Sequence, residues 1–263
     1  MFEVEPRMSA IPTCRLSVNI NKYALLRNSR GSNAPNLLRA ADICIAAGAH
    51  GITVHPRRDE RHVKLADVVP LADHLAEHHP DIELNIECEP APHILALVHA
   101  VRPAQCTLVP VKPGEVTSDH GWDLPRRADE IAAPISVLKD MGIRVSLFMD
   151  TDAPDQALAS AAQIGADRIE LYTGPYAHAW GTDHQDIELN RMFDIAQRAA
   201  RHGLELNAGH DLDRHNLVGI RQLPGLLEVS IGHAQIVRAL DVGTTRSVRE
   251  LLGALGWDAL ALG

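Results

Sequence analysis

The chain reads as an α/β protein of the (β/α)8 TIM-barrel class, and three observations predict it. Short aliphatic or β-branched runs alternate eight times with stretches of helical apolar spacing. The helical stretches stop at glycine in similar junctions, Ala47-Gly48-Ala49, Met141-Gly142-Ile143 and Ile164-Gly165-Ala166. The length, 263 residues, suits the roughly 250 that eight such units need in order to close. A doubly wound open sheet is the rival arrangement. No Gly-x-Gly-x-x-Gly follows the first strand, so the dinucleotide-binding form of that rival has no residues to stand on.

In chain order, residues 1–14 read as an arm and 15–263 as one barrel domain. Residues 16–20 form the first strand, and 21–31 a polar loop or short helix carrying Lys22, Arg27 and Arg30. Over 35–47 the apolar positions Leu37, Leu38, Ala41 and Ile45 recur at helical spacing, and 51–55 is the second strand. A helix over 65–78, a strand over 83–87, a helix over 92–101 and a strand over 106–110 follow. The stretch 111–127 contains Pro113, Gly114, Gly121 and Pro125 and is too long for a tight connection, so it is expected to be a lid. Helices over 128–141, 153–164, 187–202 and 217–223 then alternate with strands over 144–149, 168–174, 204–210 and 227–233, and 234–255 is mostly helix.

Hydrophobic residues make up 46% and aromatics only 3%, so the interior is expected to be built from Ala, Val, Ile and Leu. A formal charge of −9 argues against nucleic acid or a membrane surface as partner. An anionic ligand would therefore have to be attracted locally, by clustered arginines and helix N-termini. Cys14, Cys44, Cys88 and Cys106 form no Cys-x-x-Cys pair and sit mostly in apolar runs, as reduced buried thiols of a cytoplasmic protein do. The opening Met1-Phe2-Glu3-Val4-Glu5-Pro6-Arg7 carries acids and a proline where a signal peptide needs basic charge and an apolar core, so none is expected, and no stretch is long enough to span a bilayer.

The residues that close the strands of such a barrel meet at one face, where activity resides. Here they are Asn19 and Asn21, His55, Glu87, Thr107, Asp150, Glu170 and Thr173, His210, and Gly232-His233. Any one of them has an ordinary structural use, such as a salt bridge or a turn. Together they would crowd one mouth with polar groups that need a ligand. His55 and Glu87 end adjacent strands, and an imidazole and a carboxylate in a half-dry cavity exchange protons near pH 7. Gly232-His233 before a helix suits a phosphate, and Lys22, Arg30 and Arg57 would add charge-assisted contacts. A metal site is disfavoured, because the first strand ends Asn19-Ile20-Asn21-Lys22 rather than His-x-His and Lys22 repels a cation. A lysine-dependent aldolase using Lys22, and a catalytically silent barrel that binds phosphorylated metabolites, are the competing functions.

Several separated motifs resemble the pyridoxine 5'-phosphate synthase family: Val18-Asn19-Ile20, Leu26-Arg27-Asn28-Ser29-Arg30-Gly31, Asp59-Glu60-Arg61-His62, Leu108-Val109-Pro110, Glu115-Val116-Thr117-Ser118, Asn207-Ala208-Gly209-His210 and Ile231-Gly232-His233-Ala234. The resemblance implies condensation of 1-deoxy-D-xylulose 5-phosphate with 3-amino-2-oxopropyl phosphate to pyridoxine 5'-phosphate, inorganic phosphate and water, without metal or organic cofactor. It implies His55 and Glu87 as the acid/base pair and His210 as proton donor. It also implies that Asn19, Arg30, Gly232 and His233 hold the amino-ketone phosphate, and Arg57, His62 and Thr117 the sugar phosphate. A homo-oligomer, commonly an octamer, and extra helices around the barrel belong to the same implication. The chain departs from the family pattern twice. Asn21-Lys22 stands where Asp-His is usual, with Lys22 still able to meet a phosphate or carbonyl, and Asp211 stands where Gly follows Asn-Ala-Gly-His.

Overall fold

The computed structural model describes residues 14–112, 114–115 and 117–257, so the predicted arm, apart from Cys14, lies outside the described residues. Eight strands form a closed parallel barrel in chain order. They are β1 (Arg15–Asn19), β2 (Gly51–Val54), β3 (Glu83–Cys88), β4 (Gln105–Leu108), β5 (Arg144–Asp150), β6 (Arg168–Tyr172), β7 (Glu205–Gly209) and β8 (Leu226–Ile231). Closure comes from β8 returning to β1, with Val18 opposite Ile231. Around it lie α1 (Asn21–Asn28), α2 (Leu37–Ala46), α3 (Leu65–His78), α4 (Pro92–Val101), α5 (Leu124–Asp140), α6 (Asp155–Gln163), α7 (Gly174–Ala179), α8 (Gln185–Arg201), α9 (Leu217–Ile220), α10 (His233–Val242) and α11 (Thr244–Leu255).

The two-residue period of the strands sorts the barrel into an apolar outside and a polar inside. Leu16, Val18, Ile52, Val54, Ile86, Leu108, Val145, Leu147, Ile169, Leu171, Leu206 and Val229 are buried against the helices, and each such side chain contributes about 1.5–3 kcal/mol. The alternate positions Ser17, Thr53, Asn85, Gln105, Thr107, Ser146, Arg168, Glu170, Asn207, Glu228 and Ser230 are buried too. Hydrogen bonds tie many of them into a column, including Ser17–Thr53 at 2.6 Å, Thr107–Asn85 at 3.2 Å and Gln105–Glu228 at 3.2 Å. This corrects the expectation of an aliphatic interior throughout. The aliphatic core is the layer between sheet and helices, and the barrel lumen is polar.

Helix ends follow local chemistry. Asn36 caps α2 by accepting from the Arg39 N–H at 3.0 Å, and Asp67 accepts from the Lys64 N–H at 2.8 Å ahead of α3. Arg27 binds Asp67 in two places, at 2.7 and 2.8 Å, which fixes α1 to α3. Several predicted boundaries shift, among them β4, which ends at Leu108 rather than 110, α9, which ends at Ile220 rather than 223, and β8, which ends at Ile231 so that His233, read as strand, opens α10. Helix α5 starts at Leu124 rather than 128, because Pro125 fits a first helical turn, so the long loop spans 109–123. Residues 173–174, read as strand, instead lead into α7. The stretch 234–255 is two helices, broken at Gly243 with φ +85°. The four cysteines are free and buried, as expected, and burial pushes the thiols of Cys14 and Cys44 up to about 12. Among the described residues no helix is long and apolar enough to cross a membrane.

Candidate active site

Residues from all eight strands or the loops directly after them enclose a cavity of about 490 Å³. Its floor is the Glu87 carboxylate at the end of β3. His55, just beyond β2, places Nδ1 3.4 Å from Glu87 Oε2. Asn19 of β1 donates to both carboxylate oxygens at 3.4 Å, and Ser230 of β8 donates to Oε1 at 3.4 Å. These are long contacts, of the kind that tighten when a substrate fills a site. Side-chain exposure is 7% for His55 and 14% for Glu87, so both groups are largely withdrawn from bulk water. His55 Nε2 is buried without a hydrogen-bond partner among the described residues. That nitrogen is open to a hydrogen bond from a ligand in the cavity.

The backbone after β1 sets the imidazole. Asn19 Oδ1 accepts from the Asn21 N–H at 3.0 Å, and Asn21 Oδ1 in turn accepts from the His55 N–H at 2.9 Å. Asn21, whose amide stands where the family pattern has an acid, is therefore a brace as well as part of the lining. Glycine is needed at two neighbouring positions. A Cβ on Gly232 would come within 2.7 Å of the Asn19 carbonyl oxygen, and one on Gly209 within 2.5 Å of Glu170 Oε1.

Glu170 of β6 is 3% exposed and accepts from Thr107 at 3.4 Å. Burial raises its carboxyl well above the usual range, and the charges of Glu87 and Glu228 push the same way. A carboxyl whose surroundings favour its protonated form thus stands beside His55 and Glu87.

The rim is basic. Lys22, Arg57, Arg61 and His62 line it. Arg57 is 7% exposed and donates to Glu115 of the long loop at 3.4 Å. His62 has its pKa lowered to about 3, first by burial and then by the positive surroundings of His55, Lys22 and Arg57. It is therefore neutral at pH 7, and its Nδ1 accepts from the Val63 N–H at 3.0 Å. Asn28 of α1 holds the His62 carbonyl at 2.7 Å, so α1 carries the rim as well as Lys22.

The long loop crosses this mouth. Thr117 Oγ1 lies 2.8 Å from His210 Nε2, and Asp211 Oδ2 lies 3.0 Å from His210 Nδ1. With Asp211 accepting the Nδ1 proton, a neutral His210 takes the Thr117 proton on Nε2, and a protonated one donates there. The His210 hydrogen bond, opposed by partial burial, holds the Asp211 carboxyl below its usual range. The loop returns to the barrel through Gly121, whose N–H donates to Asp150 at 2.8 Å, and Trp122, whose indole donates to the Leu108 carbonyl at 2.9 Å.

The cavity thus brings together Asn19, Asn21, Lys22, His55, Arg57, His62, Glu87, Thr117, His210, Gly232 and His233. Arg30 stays outside the lining, exposed in the turn after α1. Asp150 and Thr173, also strand-end residues, act as struts: Thr173 donates to the Gly209 carbonyl at 2.6 Å. Lining residues with no predicted site role include Phe148, Glu170, Asp211 and Ser230. Glu170 was visible as a polar strand tip, and Ser230 only through the inside-outside alternation of β8.

Residues 16–256 match the family model described as pyridoxal phosphate biosynthesis protein PdxJ. Pyridoxine 5'-phosphate synthase of Xanthomonas oryzae pv. oryzae (strain MAFF 311018) is 49% identical over 251 residues, spanning 92% of this chain and 97% of that protein. The enzyme of the same name from Albidiferax ferrireducens is 48% identical, spanning 91% and 96%. Among solved structures, Mycobacterium tuberculosis tryptophan synthase aligns with a TM-score of 0.65 at 12% identity, over 93% of both chains. The tryptophan synthase subunit alpha of Legionella pneumophila aligns at 0.64 and 11%, over 92% of this chain and 93% of that one. Those two likenesses concern the fold alone. Since the family model spans the whole barrel and relatives near half identity extend over almost their full length, the chain belongs to the pyridoxal phosphate biosynthesis protein PdxJ family.

Proposed function

We propose that the chain is a pyridoxine 5'-phosphate synthase, condensing 1-deoxy-D-xylulose 5-phosphate with 3-amino-2-oxopropyl phosphate to pyridoxine 5'-phosphate, inorganic phosphate and water. The observation that carries this reading is the single Glu87 carboxylate shared by His55, Asn19 and Ser230 under a basic rim. The amine of one substrate attacks the ketone of the other, and the resulting imine joins the two substrates without involving the enzyme. Glu87 and His55 then move protons as water leaves to complete the imine and as phosphate is eliminated; an enol carbon attacks the remaining carbonyl to close the ring, the last water leaves as the ring aromatises, and His210 is the proton donor. Arg57, His62 and Thr117 suit the sugar phosphate. Gly232 and His233, at the N-terminus of α10, suit the amino-ketone phosphate together with Asn19. Arg30 would join that phosphate only if the turn after α1 folded inward. The steps are carbonyl additions, proton transfers, dehydrations and an elimination, with no net redox change, so the chemistry calls for no metal or organic cofactor.

The assembly belongs to the same proposal. Leu25 and Leu26 of α1, and Val237 and Leu240 of α10, are exposed apolar residues, Leu240 at 75%. A homo-oligomer, an octamer in this reading, would cover them.

The decisive assay mixes both phosphorylated substrates with the protein and follows pyridoxine phosphate absorbance, with and without a chelator. Product is expected in both. Glu87→Gln is expected to lower kcat by about 10²-fold or more. Near-normal turnover of that variant would remove Glu87 as the base.

A further inference from the structure

A second group of metal-ligating side chains lies away from the cavity, between α2 and α3. Asp42 Oδ1 lies 2.7 Å from His74 Nε2 and 2.9 Å from His79 Nε2. Helix α3 ends at His78, five residues before β3 begins, so the group sits toward the end of the barrel opposite the mouth. None of the three is part of the cavity lining. Side-chain exposures of 43% for Asp42, 17% for His74 and 26% for His79 leave the group open to solvent on one side.

The three candidate donor atoms lie within 4.8 Å of one another. A tetrahedral Zn2+ at about 2.0–2.1 Å from each would hold them roughly 3.4 Å apart, so the present spacing needs to open by less than about 1 Å. Two imidazoles and one carboxylate match a borderline ion of the Zn2+ class and are a poor set for Mg2+ or Ca2+, which take oxygen ligands. The group is also built to converge. His74 leaves the side of α3, His79 caps its C-terminus through an N–H to the Leu75 carbonyl at 2.8 Å, and both rings reach one oxygen on the neighbouring helix. A further imidazole, that of His78 one turn after His74, packs with its centroid 4.6 Å from the His74 ring. Each neutral ring binds a metal through Nε2 by keeping its single proton on Nδ1, so no proton has to leave the protein.

The other comparable group, Glu115, Asp119 and His120 in the long loop, differs in one respect. Its Glu115 already faces the Arg57 guanidinium at 3.4 Å, and that charge opposes a cation.

We propose that Asp42, His74 and His79 form a surface site for a Zn2+-class cation that clasps α2 to α3. The test titrates chelator-stripped full-length protein with Zn2+ in competition with a chromophoric chelator, beside a His74→Gln/His79→Gln double variant and Asp42→Asn. The wild type is expected to bind one equivalent that the double variant lacks, and Asp42→Asn to bind it at least about tenfold more weakly. Zn2+ should also raise the Tm of the wild type and leave that of the double variant unchanged. Product formation by stripped wild type and double variant should be equal, because the group lies outside the cavity. Equal uptake by all three proteins, or no uptake by the wild type at micromolar Zn2+, overturns the proposal. Should the double variant fail to fold, Asp42→Asn decides alone.

Discussion

At the scale of single residues, His62 and His210 of the mouth are held by different surroundings. His62 is buried among positive groups and has its pKa brought down to about 3. Its folded pKa is below the unfolded value of 6.5, so the stability linked to its neutral form is complete above pH 6.5. It is lost progressively as pH falls toward 3, at up to about 1.4 kcal/mol per pH unit. Urea unfolding at pH 6.5, 5.5 and 4.5 should therefore show a steeper decline for the wild type than for His62→Gln. His210 is instead oriented by a carboxylate that the family pattern lacks. Both His210 and Asp211 have positive φ, +84° and +59°, a conformation that favours glycine at the second position. Asp211→Gly should relieve about 1 kcal/mol of backbone strain and raise Tm. The same change removes the acceptor at Nδ1, and kcat is expected to fall about tenfold, corresponding to ~1.4 kcal/mol of lost orientation. A rise in stability with unchanged kcat would mean that Asp211 has no part in positioning the ring.

At the scale of elements, the loop over 109–123 depends on one glycine. A Cβ on Gly121 would come within 2.6 Å of Met149 Cα and would also strike the Asp150 backbone nitrogen, neither of which belongs to a flexible side chain. Gly121→Ala is expected to cost about 1–3 kcal/mol and to lift the loop from β5, raising KM severalfold for the sugar phosphate. Denaturant melts and initial-rate kinetics check the two effects separately. The importance of this loop was legible only in outline, because its Pro and Gly content marks a long connection without saying where the chain docks. What periodicity encodes was read accurately: α3 over Leu65–His78 and α4 over Pro92–Val101 end where the apolar spacing ends. Where a helix opens with proline, as at Leu124-Pro125 and Gly174-Pro175, the same letters suggest a loop or a strand end, and the first turn was missed. The strand tips His55, Glu87 and His210 were legible because alternation and a polar terminus together specify them. Arg30 shows the converse, since its position relative to the mouth depends on the turn after α1, for which no periodic signal exists.

For the whole molecule, the polar lumen sets stability at one end of the barrel and chemistry at the other. At the closed end Arg168 donates to Glu205 at 2.7 Å, to Gln105 at 3.2 Å and to Asn207 at 3.3 Å, and it is 9% exposed. Glu228, 4% exposed, accepts from Gln105 at 3.2 Å. Burial raises the Glu228 carboxyl above its ordinary 4.5, and the positive charge of Arg168 moderates that rise. Arg168→Met keeps the volume and removes the charge; Gln105 Oε1 keeps its bond from Arg144 at 2.9 Å and Glu205 is 52% exposed, so the buried acceptor left without this donor is Asn207 Oδ1, and the change is expected to cost about 1–3 kcal/mol. The pH sense follows from Glu228. Its folded pKa lies above the unfolded one, so the linked stability is full below 4.5 and is lost as pH rises through the folded value. Without Arg168 that value climbs further, and the deficit of the variant relative to wild type should be larger at pH 8 than at pH 5.5, opposite to the trend produced by His62. Paired urea melts at the two pH values measure this. Because Arg168 opens β6 and is not part of the cavity lining, KM should remain within about twofold at temperatures where the variant is folded. A matching collapse of KM would show that the lumen transmits strain along its whole length and that the two ends of the barrel are not energetically separate.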